Sequence, residues 1–429
     1  MQLRSLVPGI VLPLLLLPGL TSAQEERRLD GTISGSGSAF KIGVPAARYQ
    51  GVSDAVATEI AQTVRDDLEF SGFFDLIDPQ LYSLIPASEG DEERHDDWLS
   101  IGADAMLRLV VEYKNDRVYL EARLHDNQTK QMTFNRIYRG SNDFARRLAH
   151  QLADDLMRQF TGRPGVAMTR IAFSSFHEEN KEVYIMDYDG QRVRRLTTSR
   201  STNLSPVWSP DGKELAFTSW RGKQPGVYVM NNQGKLGHLD TVGGELSAAP
   251  DWSPDGRRLA YVSDVDGNSE IYILDRQSKR NSRVTRNNAI DTGPAWSPNG
   301  REIAFTSDRT GNPQVYLMDA EGLNARRVSF GSPYASSPAW SPRGEQLAYV
   351  SRIDGKFDVV VLETVTGQVR RLTHGEGNNE NPRWSPDGRH LVFASSRAGR
   401  YDVYTMRADG SRVKRLTRGG DSFTPDWSR

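Results

Sequence analysis

Trp208-Ser209-Pro210-Asp211-Gly212 returns every 44 residues, with its fourth residue variable, at 252–256, 296–300, 340–344 and 384–388. A clipped copy, Pro425-Asp426-Trp427-Ser428, lies near Arg429. The register extends beyond the tryptophan. An apolar triplet begins at Ile171, Leu215, Leu259, Ile303, Leu347 and Leu391, and a second apolar run at Val183, Val227, Ile271, Val315, Val359 and Val403. A third element ends in Leu196-Thr197, Val284-Thr285, Val328-Ser329, Leu372-Thr373 and Leu416-Thr417, and only Leu239-Asp240 breaks its pattern. Each unit therefore holds four short apolar runs separated by Pro-Asp-Gly, Asp-Gly and Gly-Asn groups, which supply the backbone angles of tight turns. A fixed period of this length with strand-like content marks a β-propeller, one four-stranded blade per unit.

The ends of the repeat complement each other. The first middle-strand set, from Ile171, has no Trp-Ser-Pro before it, and the copy at Trp427 has no strands after it. The last strand is expected to join the first three as a composite blade. Six blades then close into a ring without free sheet edges. The repeated Trp, fixed in the blade, reads as packing between blades rather than as a binding aromatic.

Upstream the pattern changes. Arg4, the apolar stretch 6–20 and Thr21-Ser22-Ala23 read as a cleaved secretory signal peptide, 1–23. Residues 24–38 are polar, then Gly/Ser-rich, and read as a flexible arm. Residues 39–162 read as a small α/β domain with a mixed sheet and two helices. Phe40 to Pro45 looks like a strand. Val52, Val56, Ile60, Val64 and Leu68 form one helical stripe with Ser53 as cap, and Phe144, Leu148, Leu152, Leu156 and Phe160 form another. Residues 105–113 and 117–124 read as a hairpin turning at Lys114-Asn115-Asp116. Thr161-Gly162-Arg163-Pro164-Gly165 breaks the second helix, 163–170 serve as linker, and 171–429 are the propeller.

Composition narrows the function. The 429 residues hold no cysteine, which removes disulfides, thiol chemistry, Cys-based zinc sites and a cysteine-linked lipid. The net charge of −1 gives no global field for nucleic acid or anionic membrane. A propeller hydrolase would carry a Gly-x-Ser-x-Gly elbow after the repeats, and none is there. The propeller histidines, His177, His238, His374 and His390, do not converge as a metal-dependent lyase requires, and read as surface residues. Residues 264–268 and 308–312 resemble short calcium loops without the full ligand set and read as simple turns. No cofactor is expected, and a structural calcium would have only those loops as its basis. A glycan- or peptide-binding propeller module is the alternative to a protein scaffold.

Strand alternation assigns the faces. The Pro-Asp-Gly turns and the Asp-Gly turns share one face, and the chain enters the propeller on that side at Ile171. The blade-to-blade loops lie near the axis on the other face, which is expected to be free. These loops are 202–205, 246–249, 290–293, 334–337 and 378–381, together with Phe423. Binding residues concentrate in loops on rigid scaffolds.

Taken together, the α/β region, the Ile42-Gly43-Val44-Pro45 strand, the Thr-Gly-x-Pro-Gly linker running into Thr169-Arg170-Ile171-Ala172-Phe173, and the six Trp-Ser-Pro blades resemble the TolB family. These are periplasmic propellers of the Tol-Pal cell-envelope system, which supports envelope integrity and cell division. The resemblance implies a non-catalytic, soluble, monomeric periplasmic scaffold with two partners. One is Pal, the peptidoglycan-associated outer-membrane lipoprotein, bound by one propeller face. The other is the inner-membrane protein TolA, engaged by the N-terminal arm. Leu246 and Thr292 fall where the family contacts Pal. Asn203, Ser205, Ala248, Ala249, Asp291, Ser336, Glu380 and Phe423 join them on the axial loops. Glu25, Arg27, Leu29 and Ile33 are the arm residues expected to meet TolA. Two departures stand out: Gly35-Ser36-Gly37-Ser38 in the arm, and Ala46 after Pro45 where the family has Pro-Phe.

Overall fold

Two long helices, a short third one and a mixed sheet precede the propeller. The computed structural model describes residues 40–86, 93–141, 144–231, 233–239 and 241–429. The signal peptide and the arm, with Glu25, Arg27, Leu29 and Ile33, lie outside the described residues. Strand β1 (Phe40–Gly43) is followed by β2 (Arg48–Gln50) and helix α1 (Asp54–Ser71). The Ser53 hydroxyl accepts from the Val56 N–H, and Gly72 ends α1 at φ 66°. Then come β3 (Phe74–Leu76), a 3-10 turn over Pro79–Leu84, a short α2 (His95–Ser100), β4 (Ala105–Lys114), β5 (Arg117–Asp126), β6 (Gln131–Gly140) and α3 (Ala145–Thr161). The sheet order is β3-β1-β4-β5-β6, with β2 also paired to β4. The contacts among β1, β3, β4 and β2 are parallel, and those of β4-β5-β6 antiparallel.

Along β5, Val118, Leu120, Ala122 and Leu124 are buried and the residues between them are not, so the alternation expected there holds. Their core face receives Ile60, Val64 and Leu68 of α1 and Leu148, Leu152 and Leu156 of α3. Gly43 is required by close approach: a Cβ there would sit 2.4 Å from the Trp98 ring. The core runs on into the propeller through Ile171, Phe173, Tyr188, Val392 and Trp427. The segment after α3 is clamped rather than loose. Asp154 accepts the Ala167 and Met168 N–H groups at 2.9 and 3.1 Å, and burial pushes its pKa up to about 6.

Six four-stranded sheets follow, and the composite blade forms as the sequence implies. Ser422–Trp427 pairs with Arg170–His177, which continues to Asn180–Asp187 and Arg194–Arg195. The ring is also latched by the Ser428 hydroxyl, which accepts the Arg170 N–H at 2.8 Å.

The Arg-Leu-Thr signature has a physical cause. Each closing Thr or Ser hydroxyl accepts the N–H of the third strand, as Thr417 does from Val403 and Thr373 from Val359, both at 2.9 Å. Some also donate to a buried side chain of that strand: Thr417 to Asp402 at 2.8 Å, Thr373 to Asp358 at 2.6 Å, and Ser329 to Gln314 at 2.7 Å. The arginine two residues earlier pairs with the same carboxylate, Arg415 with Asp402 and Arg371 with Asp358. Buried charges persist only when paired in this way. The irregular blade has Gly226 at the carboxylate position.

The tryptophans pack against the preceding blade. Trp252 Nε1 donates to the Val207 carbonyl at 3.2 Å and Trp384 Nε1 to that of Ala339 at 3.1 Å.

Three strands of the α/β region, and the short helix α2, go beyond the sequence expectation. β2 and β3 are too short to show a period. In the edge strand β6 only Phe134 and Tyr138 turn inward, and a register shift at Leu124/His125 blurs the alternation further.

Candidate functional site

The propeller's two faces differ in what covers them. The turn face carries the α/β region. On α1, the Asp67 carboxylate sits 2.7 Å from His150 Nδ1 and accepts the Tyr188 hydroxyl at 2.5 Å. Tyr188 belongs to the first blade's third turn. All three residues are buried. Burial raises the Asp67 pKa, against the pull of His150 and Tyr188, and raises that of Tyr188 too. Arg146 pairs with Asp189 beside them. In the adjacent blade, across the ring's closure, His390 stacks on Phe70 with ring centroids 4.1 Å apart. Reading His390 as a surface histidine is therefore corrected: it is 2% exposed, and burial lowers its pKa to about 4, so it is neutral at physiological pH. Phe70 sits in the last turn of α1, and His390 opens the second strand of its blade.

Among the described residues no element covers the opposite face, which centres on a mouth of about 220 Å³ lined by the inner strands. Each inner strand carries a β-bulge there, such as Leu204/Val207, Ala248/Asp251 and Thr292/Ala295. The bulged residue is left-handed in every blade: Ser205, Ala249, Gly293, Ser337, Asn381 and Thr424 have φ between 45° and 56°. Each precedes a proline, whose ring disfavours helical backbone in the residue before it. The neighbouring blade holds the bulge. The Thr218 hydroxyl accepts the Ala249 N–H at 3.0 Å, and that of Thr424 accepts the Ser205 N–H at 3.3 Å. Strain repeated around a ring and supported by its surroundings fixes the rim geometry.

This geometry sorts the residues put forward from sequence. Ala248, Thr292, Ser336, Glu380 and Phe423 occupy one equivalent rim position, half-buried, with Ser205 and Ala249 one step further in. Leu246 stands outside them, its N–H held by Asp264 at 2.8 Å. Glu380 accepts the Tyr401 hydroxyl, and Phe423 lies 4.1 Å beneath the Lys181 ammonium. Asn203 and Asp291 belong elsewhere. Both are fully buried inside their blades. Asn203 accepts from Ser219 at 2.6 Å and donates to Glu182 at 2.8 Å, while Asp291 pairs with Arg309 at 2.9 Å. They shape the rim and offer it no free group, because their side chains point into the sheet pairing rather than along the axis.

The sequence reading missed the apolar outer rim. Trp220, Val265, Ile290 and Phe330 are 40–68% exposed in loops of this face. A signal existed: Trp220 stands where the other full repeats hold Asp264, Asp308, Arg352 and Ser396. The loops that resemble calcium sites are turns whose carboxylates are already used. Asp264 holds Leu246, and Asp308 holds Ile290 at 2.8 Å.

Deeper in the channel, Arg383 lies 3.9 Å from Asp251 and 3.5 Å from Asp426. Burial drives the Asp251 pKa up to about 6 despite Arg383, and raises that of Asp426 as well. The channel thus holds charge, but as a paired set aligned by the Trp296 and Trp208 N–H groups, each 2.8 Å from a carboxylate.

Comparison with known proteins follows the same division of the chain. A family model described as the TolB β-propeller domain matches residues 157–361 and 332–429, and one described as the TolB amino-terminal domain matches 32–133. A relative from Geobacter sulfurreducens, "Tol-Pal system protein TolB", is 38% identical over 162 residues, 38% of this chain and 37% of that protein. Its namesake from Geobacter metallireducens is 38% identical over 215 residues, 49% of each chain. The chain thus aligns with less than half the length of these curated relatives. The crystal structure of TolB from Acinetobacter baumannii superposes with a TM-score of 0.79 at 27% identity, covering 91% of this chain and 97% of that one. Repeat, composite blade, α/β region and these matches agree, and the chain belongs to the TolB family.

Proposed function

We propose that the chain is a non-catalytic periplasmic scaffold of the Tol-Pal system that receives Pal on the axial face opposite the α/β region. The observation that carries this reading is the asymmetry of the faces. One face is filled by the α/β region, and the other presents a rigid bulged rim with exposed apolar loops. Exposed apolar side chains carried on a rigid scaffold beside polar ones suit a protein interface. The names of the relatives place the family in the Tol-Pal system, which makes a periplasmic location the consistent one. No helix among the described residues is long and apolar enough to cross a membrane. The segment before Phe40, with Glu25, Arg27, Leu29 and Ile33, is proposed to engage TolA.

Leu246, Ala248, Ala249, Thr292, Ser336 and Phe423 form the proposed contact ring, with Ser205 and Glu380 at its polar positions. Calorimetric titration with the soluble domain of the cognate Pal tests it. Leu246→Asp and Thr292→Arg are expected to weaken binding by at least about tenfold, roughly 1.4 kcal/mol each, with circular dichroism unchanged. Wild-type affinity in both variants would move Pal to another surface.

A further inference from the structure

The repeat breaks its own rule at Arg343. Four of the five full copies hold Asp211, Asp255, Asn299 or Asp387 at the fourth position. There the side-chain oxygen closes the turn. The hydroxyls of Ser209, Ser253, Ser297 and Ser385 donate to it at 2.5–2.8 Å. The N–H groups of Lys213, Arg257, Arg301 and Arg389 donate to it at 2.9–3.1 Å. Arginine has no acceptor atom, so the copy at Arg343 forgoes both bonds. A residue that weakens its own turn invites the question of what it serves.

Arg343 lines a crevice of about 630 Å³ between the turn face and the end of α3, within the usual range of ligand sites. Arg163 and Arg389 line it too, from the segment after α3 and from the next blade. None of the three forms an ion pair among the described residues, whereas other arginines at this boundary do, Arg146 with Asp189 and Arg412 with Glu69. Arg389 is steadied instead by the Ser71 carbonyl at 3.5 Å and the Phe73 ring 5.8 Å away. Burial lowers the Arg389 pKa, Asp387 opposes that shift, and Arg343 adds to it. Of the two carboxylates present, Asp387 is committed to its turn, and Glu345 stands exposed. Met157, Pro164 and Pro342 provide apolar wall between the cations.

We propose that this crevice binds an extended acidic peptide segment. Arg343, Arg389 and Arg163 take its carboxylates, for which the guanidinium fork is the matching shape, and Met157, Pro164 and Pro342 receive its apolar side chains. Alternating cations and apolar walls suit a chain carrying both kinds of side chain better than a compact anion.

The test is fluorescence anisotropy of a labelled alternating Glu/Leu peptide on the whole mature protein at low salt. Arg343→Asp restores the repeat's own residue, so its melting temperature should equal or exceed that of wild type while peptide affinity falls about tenfold or more. Arg163→Gln should weaken binding in the same direction. Pal binding should be unchanged in both, because the crevice lies on the covered face. Undiminished peptide binding in both variants, or none by the wild type, would overturn the proposal. So would displacement of the peptide by inorganic tripolyphosphate at equal concentration, which would mark a generic anion trap.

Discussion

The two faces of the propeller are built from the same repeat and have opposite fates. On the turn face, departures from the repeat point inward at the α/β region: His390 stacks on Phe70, and Tyr188 reaches Asp67. On the axial face the backbone is held constant by six bulges, and only the side chains change, from Ala248 and Thr292 to Glu380 and Phe423. A repeat that varies its side chains over an invariant backbone is arranged for recognition. One that varies them against a neighbouring layer is arranged for packing. The comparison teaches that deviation from the repeat needs to be read together with what it faces.

The comparison can be broken first at the covered face. Asp67→Ala leaves the His150 imidazole and the Tyr188 hydroxyl buried without their acceptor. It should cost about 3 kcal/mol, measured by urea denaturation, and leave Pal affinity as it was. A change in Pal affinity equal to that of the rim variants would mean that the faces are not separable.

The channel between the faces should respond to pH. Folding favours protonated Asp251, whose pKa rises from 3.8 to about 6. The unfolded chain releases that proton first, so this group's contribution to stability is present below about pH 4 and lost as pH rises toward 6. Asp251→Asn keeps an acceptor for the Trp296 N–H and removes the titration. It should flatten that part of the pH profile and stabilise the protein at pH 7.5 by about 1 kcal/mol, since Arg383 and solvent in the channel offset part of the shift. A variant less stable than wild type at pH 7.5 would show that the charge pair with Arg383 outweighs burial.

The smallest effect is expected at the rim. Gly293 is the one bulge residue without a side chain, at φ 56°, and a Cβ there would meet only the Thr306 hydroxyl at 3.9 Å. Gly293→Ala should cost about 1 kcal/mol from its left-handed backbone alone, with Pal binding retained. A larger loss would show that this blade needs freedom its neighbours lack.

Much of this was legible in the sequence. Period, blade number, composite closure and the assignment of faces follow from Trp208 and its copies and from where Ile171 enters, because turn chemistry and alternation are local properties. The helices α1 and α3 were legible through stripes such as Ile60-Val64-Leu68. β2, β3 and β6 were not, being short or at the edge, where burial imposes little pattern. Within the candidate site, Thr292 and Ala249 were placed on the rim by register alone. The burial of Asn203 and Asp291 was hidden, because a bulge two residues later reverses which side chains face the axis. The role of His390 was equally hidden, since its partner Phe70 lies 320 residues away in sequence.

Amide hydrogen exchange with and without the soluble Pal domain tests the division of the faces most directly. The account predicts slowed exchange in the loops around 204–205, 246–249, 290–293 and 423–424, and none at 67–71 or 386–390. Protection centred on the second set, with the axial rim unaffected, would contradict it.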